Sequence, residues 1–176
     1  MIPGLTVLTA AAIVLSAYSG ASTPQGRAPV QPIPYSHQTH VQTVGLNCLY
    51  CHFSADKSPD AGLPAVGTCM GCHLAVGPTR ADGSQRVGID TLQAYWNRNE
   101  PIPWVRIHKV PDYVQFPHMR HVNAGVTCQT CHGPVQDMGA PAYQAESLNM
   151  GWCIKCHTGE SNPPLRARYD CAVCHY

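Results

Sequence analysis

The chain has 176 residues, of which 44% are hydrophobic, 12% are charged and 7% are aromatic. This content of apolar and aromatic side chains is low for a conventional hydrophobic core. The 15 Gly and 16 Pro indicate many loops and few long elements. The formal net charge is only +1, and no basic run is long enough to bind nucleic acid.

The N-terminal segment is apolar, and no charged residue occurs before Arg27. As a helix, residues 2–18 would span about 25 Å, against about 30 Å for a hydrocarbon core. A cleaved signal peptide would begin with a basic region, which is missing here. We therefore expect a retained membrane-anchor helix over residues 1–20, oriented either by partner helices or by sequence further upstream. Residues 21–34, rich in Ser, Pro, Gly and Gln, are predicted to form an extended linker.

All ten cysteines fall into five Cys-x-x-Cys-His motifs. Each motif is typical of a c-type haem attachment site, in which two thiols bond to the haem vinyl groups and the His is the proximal iron ligand. The predicted covalent residues are Cys48, Cys51, Cys69, Cys72, Cys128, Cys131, Cys153, Cys156, Cys171 and Cys174. The predicted proximal ligands are His52, His73, His132, His157 and His175.

Other uses of paired cysteines fit this pattern less well. Two Cys-x-x-Cys pairs build one zinc site without requiring a following His, and a thioredoxin-like motif occurs once. A disulfide framework would not space its cysteines by three residues in every case. We therefore predict a multihaem cytochrome c with five haem c groups, mostly coil with short helices wrapped around a haem stack, plus the N-terminal transmembrane helix.

A repeated stretch precedes the first and third motifs. Residues 35–41 and 116–122 each contain an aromatic residue, one further residue and then His-x-x-His-Val, with a Gly following before the cysteines. The repeat predicts a dihaem module over residues 35–85 and a trihaem module over 116–176. In the connecting segment, 86–115, residues 91–96 are predicted to form a short helix, and Pro101 and Pro103 favour an extended path toward His108.

The number of histidines, ten, equals the number of protein ligands that five six-coordinate haem irons need. Ten His less five proximal ones leaves five for the distal positions: His37, His40, His108, His118 and His121. Histidines three residues apart project from one side of a helical turn and can reach two neighbouring haems.

The paired histidines resemble the turns of small multihaem cytochromes. That resemblance implies that His37 and His40 ligate haems 1 and 2, and that His118 and His121 ligate haems 3 and 4. For haem 5 two candidates stay open, His108 and Met150, because Met150 lies three residues before a haem cysteine where trihaem relatives place a distal ligand. A methionine ligand would raise the reduction potential of that haem.

Longer stretches resemble the pentahaem subunit of bacterial alternative complex III, a quinol oxidoreductase. They are residues 104–113, 116–121, 128–135 and 150–157, and the similarity extends over most of residues 35–176. The resemblance implies an electron-relay subunit without catalytic residues, bound to iron–sulfur and integral membrane subunits. The acceptor would be a periplasmic cytochrome c, a blue-copper protein or an oxidase.

Two other functions compete with the relay. The alternative is a free-standing, membrane-anchored quinol dehydrogenase that feeds a periplasmic reductase. A catalytic multihaem enzyme would need an iron with an open position, which equal numbers of irons and distal candidates disfavour. Since haem is attached outside the cytoplasmic membrane, the body of the protein is expected on the periplasmic side of the inner membrane.

Overall fold

The structure is a computed structural model, in which Thr9, residues 25–161 and residues 166–176 are described. The predicted anchor helix over residues 1–20 lies outside the described residues apart from Thr9, as does the start of the linker. In the part of the chain that is described, no helix has both the length and the apolar character needed to cross a membrane.

Short helices in mostly irregular backbone make up the described chain, as the sequence predicts. A π-helix spans Gln38–Thr43, and the α-helices are Cys48–Cys51, Val66–His73, Ile89–Asn97, His118–Asn123, Cys128–His132 and Met150–His157. Short 3₁₀ helices span Val135–Asp137 and Cys171–Val173. Between residues 25–161 and 166–176, extended pairing is limited to isolated bridges at Thr79–Gln85 and Thr158–Arg166.

Local capping explains where two of the helices that carry these motifs begin. The side chain of Asn47 accepts a hydrogen bond from the Leu49 amide at 2.8 Å, and that of Asn149 accepts one from the Trp152 amide at 2.8 Å. Each bond satisfies an amide that the first helical turn leaves without a partner. The helical turn then brings the two cysteines and the following His to one side of the chain.

A small apolar core holds the helix of the second motif in place. Met70, on Val66–His73, packs with Leu92 of Ile89–Asn97 and with Ile33 and Ile102. Tyr95 and Trp104 cover this cluster from the connecting segment. The predicted helix over residues 91–96 therefore forms within Ile89–Asn97 because Leu92 is drawn into this core, and the backbone after Pro101 is non-helical, as predicted.

The two His-x-x-His turns are each bound to the other repeat. The His118 and Met119 amides donate to the carbonyls of Pro59 at 3.0 Å and Ser58 at 3.1 Å. In the opposite direction, the Gln38 amide donates to the Met138 carbonyl at 2.9 Å. The two predicted modules therefore interlock through their ligand-bearing turns.

Candidate functional site

The cysteines remain available for covalent chemistry. In the structure all ten are free thiols. Among residues 25–161 and 166–176, no group of three or more His, Cys, Asp or Glu side chains is arranged to hold a metal ion. The thiols stand instead as pairs, each followed by a His.

Backbone carbonyls hold the imidazoles of four of the predicted proximal histidines. Nδ1 contacts a carbonyl at 2.8 Å in His52, 3.1 Å in His73, 2.5 Å in His157 and 3.0 Å in His175. A carbonyl only accepts hydrogen bonds, so Nδ1 must carry the proton. The lone pair then lies on Nε2, which is the form of imidazole that binds a metal.

Three of the paired histidines that are predicted as distal ligands are held in the same way. Nδ1 of His40 donates to the Ser36 carbonyl at 2.8 Å, and Nδ1 of His121 donates to the Pro117 carbonyl at 3.1 Å. His118 donates instead to the Pro59 carbonyl of the other repeat, at 2.7 Å. Each of these rings therefore also presents an unprotonated Nε2.

Three pairs of imidazoles have the spacing of two ligands on one metal ion. The ring centroids are 6.2 Å apart for His40 and His73, 6.4 Å for His118 and His132, and 6.2 Å for His121 and His157. A metal–imidazole bond is about 2.0 Å long and the ring centre lies about 1.1 Å beyond the nitrogen, so opposed ligands have centroids about 6.2 Å apart. The residues of these three sites therefore fit haem iron held between two histidines.

The aromatic residue of each repeat clamps both of its histidines. Tyr35 stacks on His40 at 4.4 Å and meets His37 edge-on at 4.9 Å. Phe116 stacks on His121 and meets His118 edge-on at the same two centroid distances. The sequence signal for this role is the fixed place of the aromatic residue, two residues before the first His of each repeat.

His37 corresponds to His118 in the repeat and is buried. Burial, followed by the charges of His52 and His40, lowers the pKa of His37 to about 4, so the ring is neutral near pH 7. In the described chain, its Nδ1 is a buried atom with no hydrogen-bond partner. The larger of these two charge effects comes from His52, the predicted proximal ligand with which the resemblance pairs it.

His132 is the most strongly perturbed imidazole. Burial, followed by the charges of His108 and His118, lowers the pKa of His132 to about 3. Its Nδ1 lies 3.3 Å from Nε2 of His108, and the two ring planes meet at 83°. His108 was predicted as a candidate ligand of the fifth haem. In the structure it lies beside His132 of the third motif.

The fifth motif has a different environment. His175 donates to the Tyr113 carbonyl, and the two rings lie 5.7 Å apart. Met150 begins its helix with 66% of its surface exposed. Within the described part of the chain, neither His108 nor Met150 has a hydrogen bond or ring contact with His175. The choice between them as fifth distal ligand stays a prediction.

Neighbouring thiols give the five motifs an order in space. Four pairs of cysteines from different motifs are close enough that, after burial, one thiol raises the pKa of the other. The pairs are Cys51 with Cys69, Cys48 with Cys128, Cys156 with Cys131, and Cys174 with Cys153. These neighbours link the second motif to the first, the first to the third, the third to the fourth and the fourth to the fifth.

Paired thiols, adjacent imidazoles and ring pairs with the spacing of two ligands on one metal ion are the features of a multihaem cytochrome c, a class whose chemistry is electron transfer. Residues 114–176 match the family model for "Cytochrome c7 and related cytochrome c". The chain is also 28% identical, over 165 residues, to the menaquinone reductase multiheme cytochrome c subunit of Nitratidesulfovibrio vulgaris. That alignment covers 82% of this chain and 76% of the relative. The narrower resemblance to alternative complex III lies beyond these matches and stays a prediction.

Proposed function

We propose that the chain binds five c-type haems and relays single electrons within a membrane quinone oxidoreductase. The observation that carries this proposal is the spacing of three imidazole pairs, 6.2–6.4 Å between centroids, which suits one metal ion per pair. When bound, haem iron supplies a one-electron couple whose potential depends on axial ligands and burial.

The protein's own part is to fix ligands and to place the sites in a row. Proposed axial sets are His52 with His37, His73 with His40, His132 with His118 and His157 with His121, with His175 as the proximal ligand of a fifth site. Nδ1 hydrogen bonds restrict ring rotation and keep Nε2 unprotonated. A fully ligated iron offers no open position for a substrate, which suits a relay rather than a catalyst.

The row of thiol pairs supports a linear path with the second and fifth sites at its ends. The first and third sites, whose cysteines Cys48 and Cys128 are neighbours, join the two repeats. Electrons that enter at one end would therefore cross from one repeat to the other at this junction. Entry and exit partners are proposed to bind near the second and fifth sites.

The proposed partners are the other subunits of a quinone oxidoreductase. Similarity to a subunit of a menaquinone reductase supports this class of assembly, and the resemblance of residues 104–113 and 150–157 favours one like alternative complex III. Iron–sulfur and integral membrane subunits would exchange electrons with quinone. A periplasmic cytochrome c, a blue-copper protein or an oxidase would be the acceptor, with the protein anchored to the inner membrane by residues 1–20.

Haem counting tests the proposal directly. The full chain, produced in cells that attach c-type haem, should carry five haems by intact mass and by the pyridine haemochrome spectrum. The double variant Cys171→Ala/Cys174→Ala should carry one fewer. A wild-type count below five, or a count that this variant leaves unchanged, would contradict the proposal.

A second measurement separates the relay from the free-standing quinol dehydrogenase. The purified holoprotein is mixed with a reduced short-chain quinol, and haem reduction is followed optically. A relay should be reduced by quinol only together with its partner subunits. Rapid reduction of the isolated chain would favour the dehydrogenase.

A further inference from the structure

The hydrogen bond on His132 differs in kind from those on the other predicted ligands. Nδ1 of seven predicted ligands bonds to a backbone carbonyl: His40, His52, His73, His118, His121, His157 and His175. In His132 the same atom faces the side chain of His108, 3.3 Å from its Nε2. Among the described ligands, His132 alone has a side-chain partner on Nδ1.

The direction of this hydrogen bond follows from the opposite edge of the His132 ring. The ring pairs with His118 at 6.4 Å, so Nε2 of His132 must keep its lone pair for the metal position. The proton then lies on Nδ1, which donates to His108. Nε2 of His108 must accept, so His108 is a neutral imidazole with its own proton on Nδ1.

The ring of His108 stands nearly perpendicular to that of His132, at 83° and 4.4 Å between centroids. This edge contact resists rotation of the His132 ring, whose plane lies only 6° from that of His118. The corresponding planes in the second and fourth sites are 57° and 49° apart.

We propose that His108 is a positioning residue for the third haem, acting through His132, and is not an iron ligand. The proposal rests on the proposed function, because it requires haem at the third motif. An imidazole nitrogen is a stronger acceptor than an amide carbonyl, so His108 makes His132 a more electron-donating ligand. Greater donation stabilises the ferric state and lowers the reduction potential of the third haem.

The proposal also makes the fifth site distinct. With His108 bound to His132, four histidines remain for the distal positions, namely His37, His40, His118 and His121. The second ligand at the fifth motif is then not a histidine of this chain. The fifth site would therefore lack the histidine pair that is proposed for the other four sites.

Two substitutions at one position test this role in the holoprotein. His108→Leu removes the acceptor, and His108→Gln places an amide oxygen near the former position of Nε2. His118→Ala, which removes a predicted iron ligand, is the reference for ligand loss. The readouts are haem count, the high-spin fraction in the electron paramagnetic resonance spectrum of the ferric protein, and potentiometric titration.

We expect both His108 variants to keep the wild-type haem count and high-spin fraction. His108→Leu should raise the potential of one haem, and His108→Gln should return it toward the wild-type value. New high-spin haem in both variants would make His108 an iron ligand and overturn the proposal. If the haem reduction potentials of His108→Leu equal those of the wild type, His108 only packs against His132 and the proposal is overturned. A wild-type protein without haem at the third motif would instead contradict the proposed function.

Discussion

The imidazoles of His118 and His132 lie parallel, with planes 6° apart and centroids 6.4 Å apart. The two rings come from different helices, His118–Asn123 and Cys128–His132, and neither touches the other across the gap. Their separation matches two ligands on one metal ion. The folded polypeptide alone therefore holds the two rings at the separation that a metal ion between them would need.

Loss of the distal ring should change the spin state of one haem. We expect His118→Ala to leave haem attached at the third motif, because Cys128 and Cys131 remain, but to convert it from low-spin to high-spin. Electron paramagnetic resonance of the ferric protein measures this change. Arg120→Gln, an exposed position on the same helix, is the control and should give the wild-type spectrum. A fully low-spin spectrum for His118→Ala would contradict the ligand assignment.

The glycine that follows the third motif should not tolerate a side chain. Gly133 has φ +68°, and a Cβ there would lie 2.4 Å from Cβ of Ala145. We expect Gly133→Ala to lower the thermal midpoint of the holoprotein through strain and overlap. At Gly139, a Cβ would meet nothing within 4 Å, so Gly139→Ala should change the midpoint little. Equal effects of the two substitutions would contradict this account.

The small core should depend on Leu92, which is only 5% exposed. Leu92→Ala is expected to lower the free energy of unfolding by about 2–5 kcal/mol, since it leaves a cavity beside Met70. Val87→Ala, at a residue that is 80% exposed, should stay within about 0.5 kcal/mol. Denaturant titration of the holoproteins, followed by far-ultraviolet circular dichroism, compares the two. A change below about 1 kcal/mol for Leu92→Ala would mean that this core contributes little.

The clamp formed by Phe116 can be tested with the residue that the other repeat uses. Phe116→Ala removes the ring that stacks on His121 and abuts His118. We expect broadened low-spin signals from two haems, because both imidazoles gain rotational freedom. Phe116→Tyr should retain sharp signals, because Tyr35 contacts His37 and His40 with the same geometry. Sharp signals in Phe116→Ala would show that the helix alone fixes these rings.

Haem removal should unfold most of the chain. The buried hydrophobic residues of the described chain are few: Ile33, Ala55, Met70, Leu92, Ile102 and Met138. A core this small does not offset the entropy of ordering more than a hundred residues. Protein produced without haem attachment should be rapidly digested by trypsin, whereas the holoprotein should resist digestion. Comparable resistance of the two forms would contradict this expectation.

Local patterns predicted much of the candidate site. The spacing of Cys48, Cys51 and His52 indicates an attachment turn whatever the surrounding fold, and His-x-x-His places two rings on one turn by helical geometry alone. The position of His108 could not be predicted in this way. It depends on the path of an irregular segment after Pro101, where neither periodicity nor capping constrains the direction.

The contacts between the repeats could not be predicted from the sequence either. The sequence indicated two modules but not that His118 would donate to the Pro59 carbonyl, because backbone acceptors leave no signature in residue type. The spatial order of the motifs depends on the same long-range contacts. The module boundaries at 35–85 and 116–176 stay a prediction.

The reciprocal bonds between the repeats bear on how such a chain matures and evolves. During synthesis the Pro59 carbonyl emerges long before His118, whereas the Gln38 amide must wait for Met138. Neither half can complete its hydrogen bonding until both have been made. Each repeat supplies a backbone acceptor to the other. Because every residue carries a backbone carbonyl, these bonds constrain the chain path of the two repeats rather than the identity of their side chains.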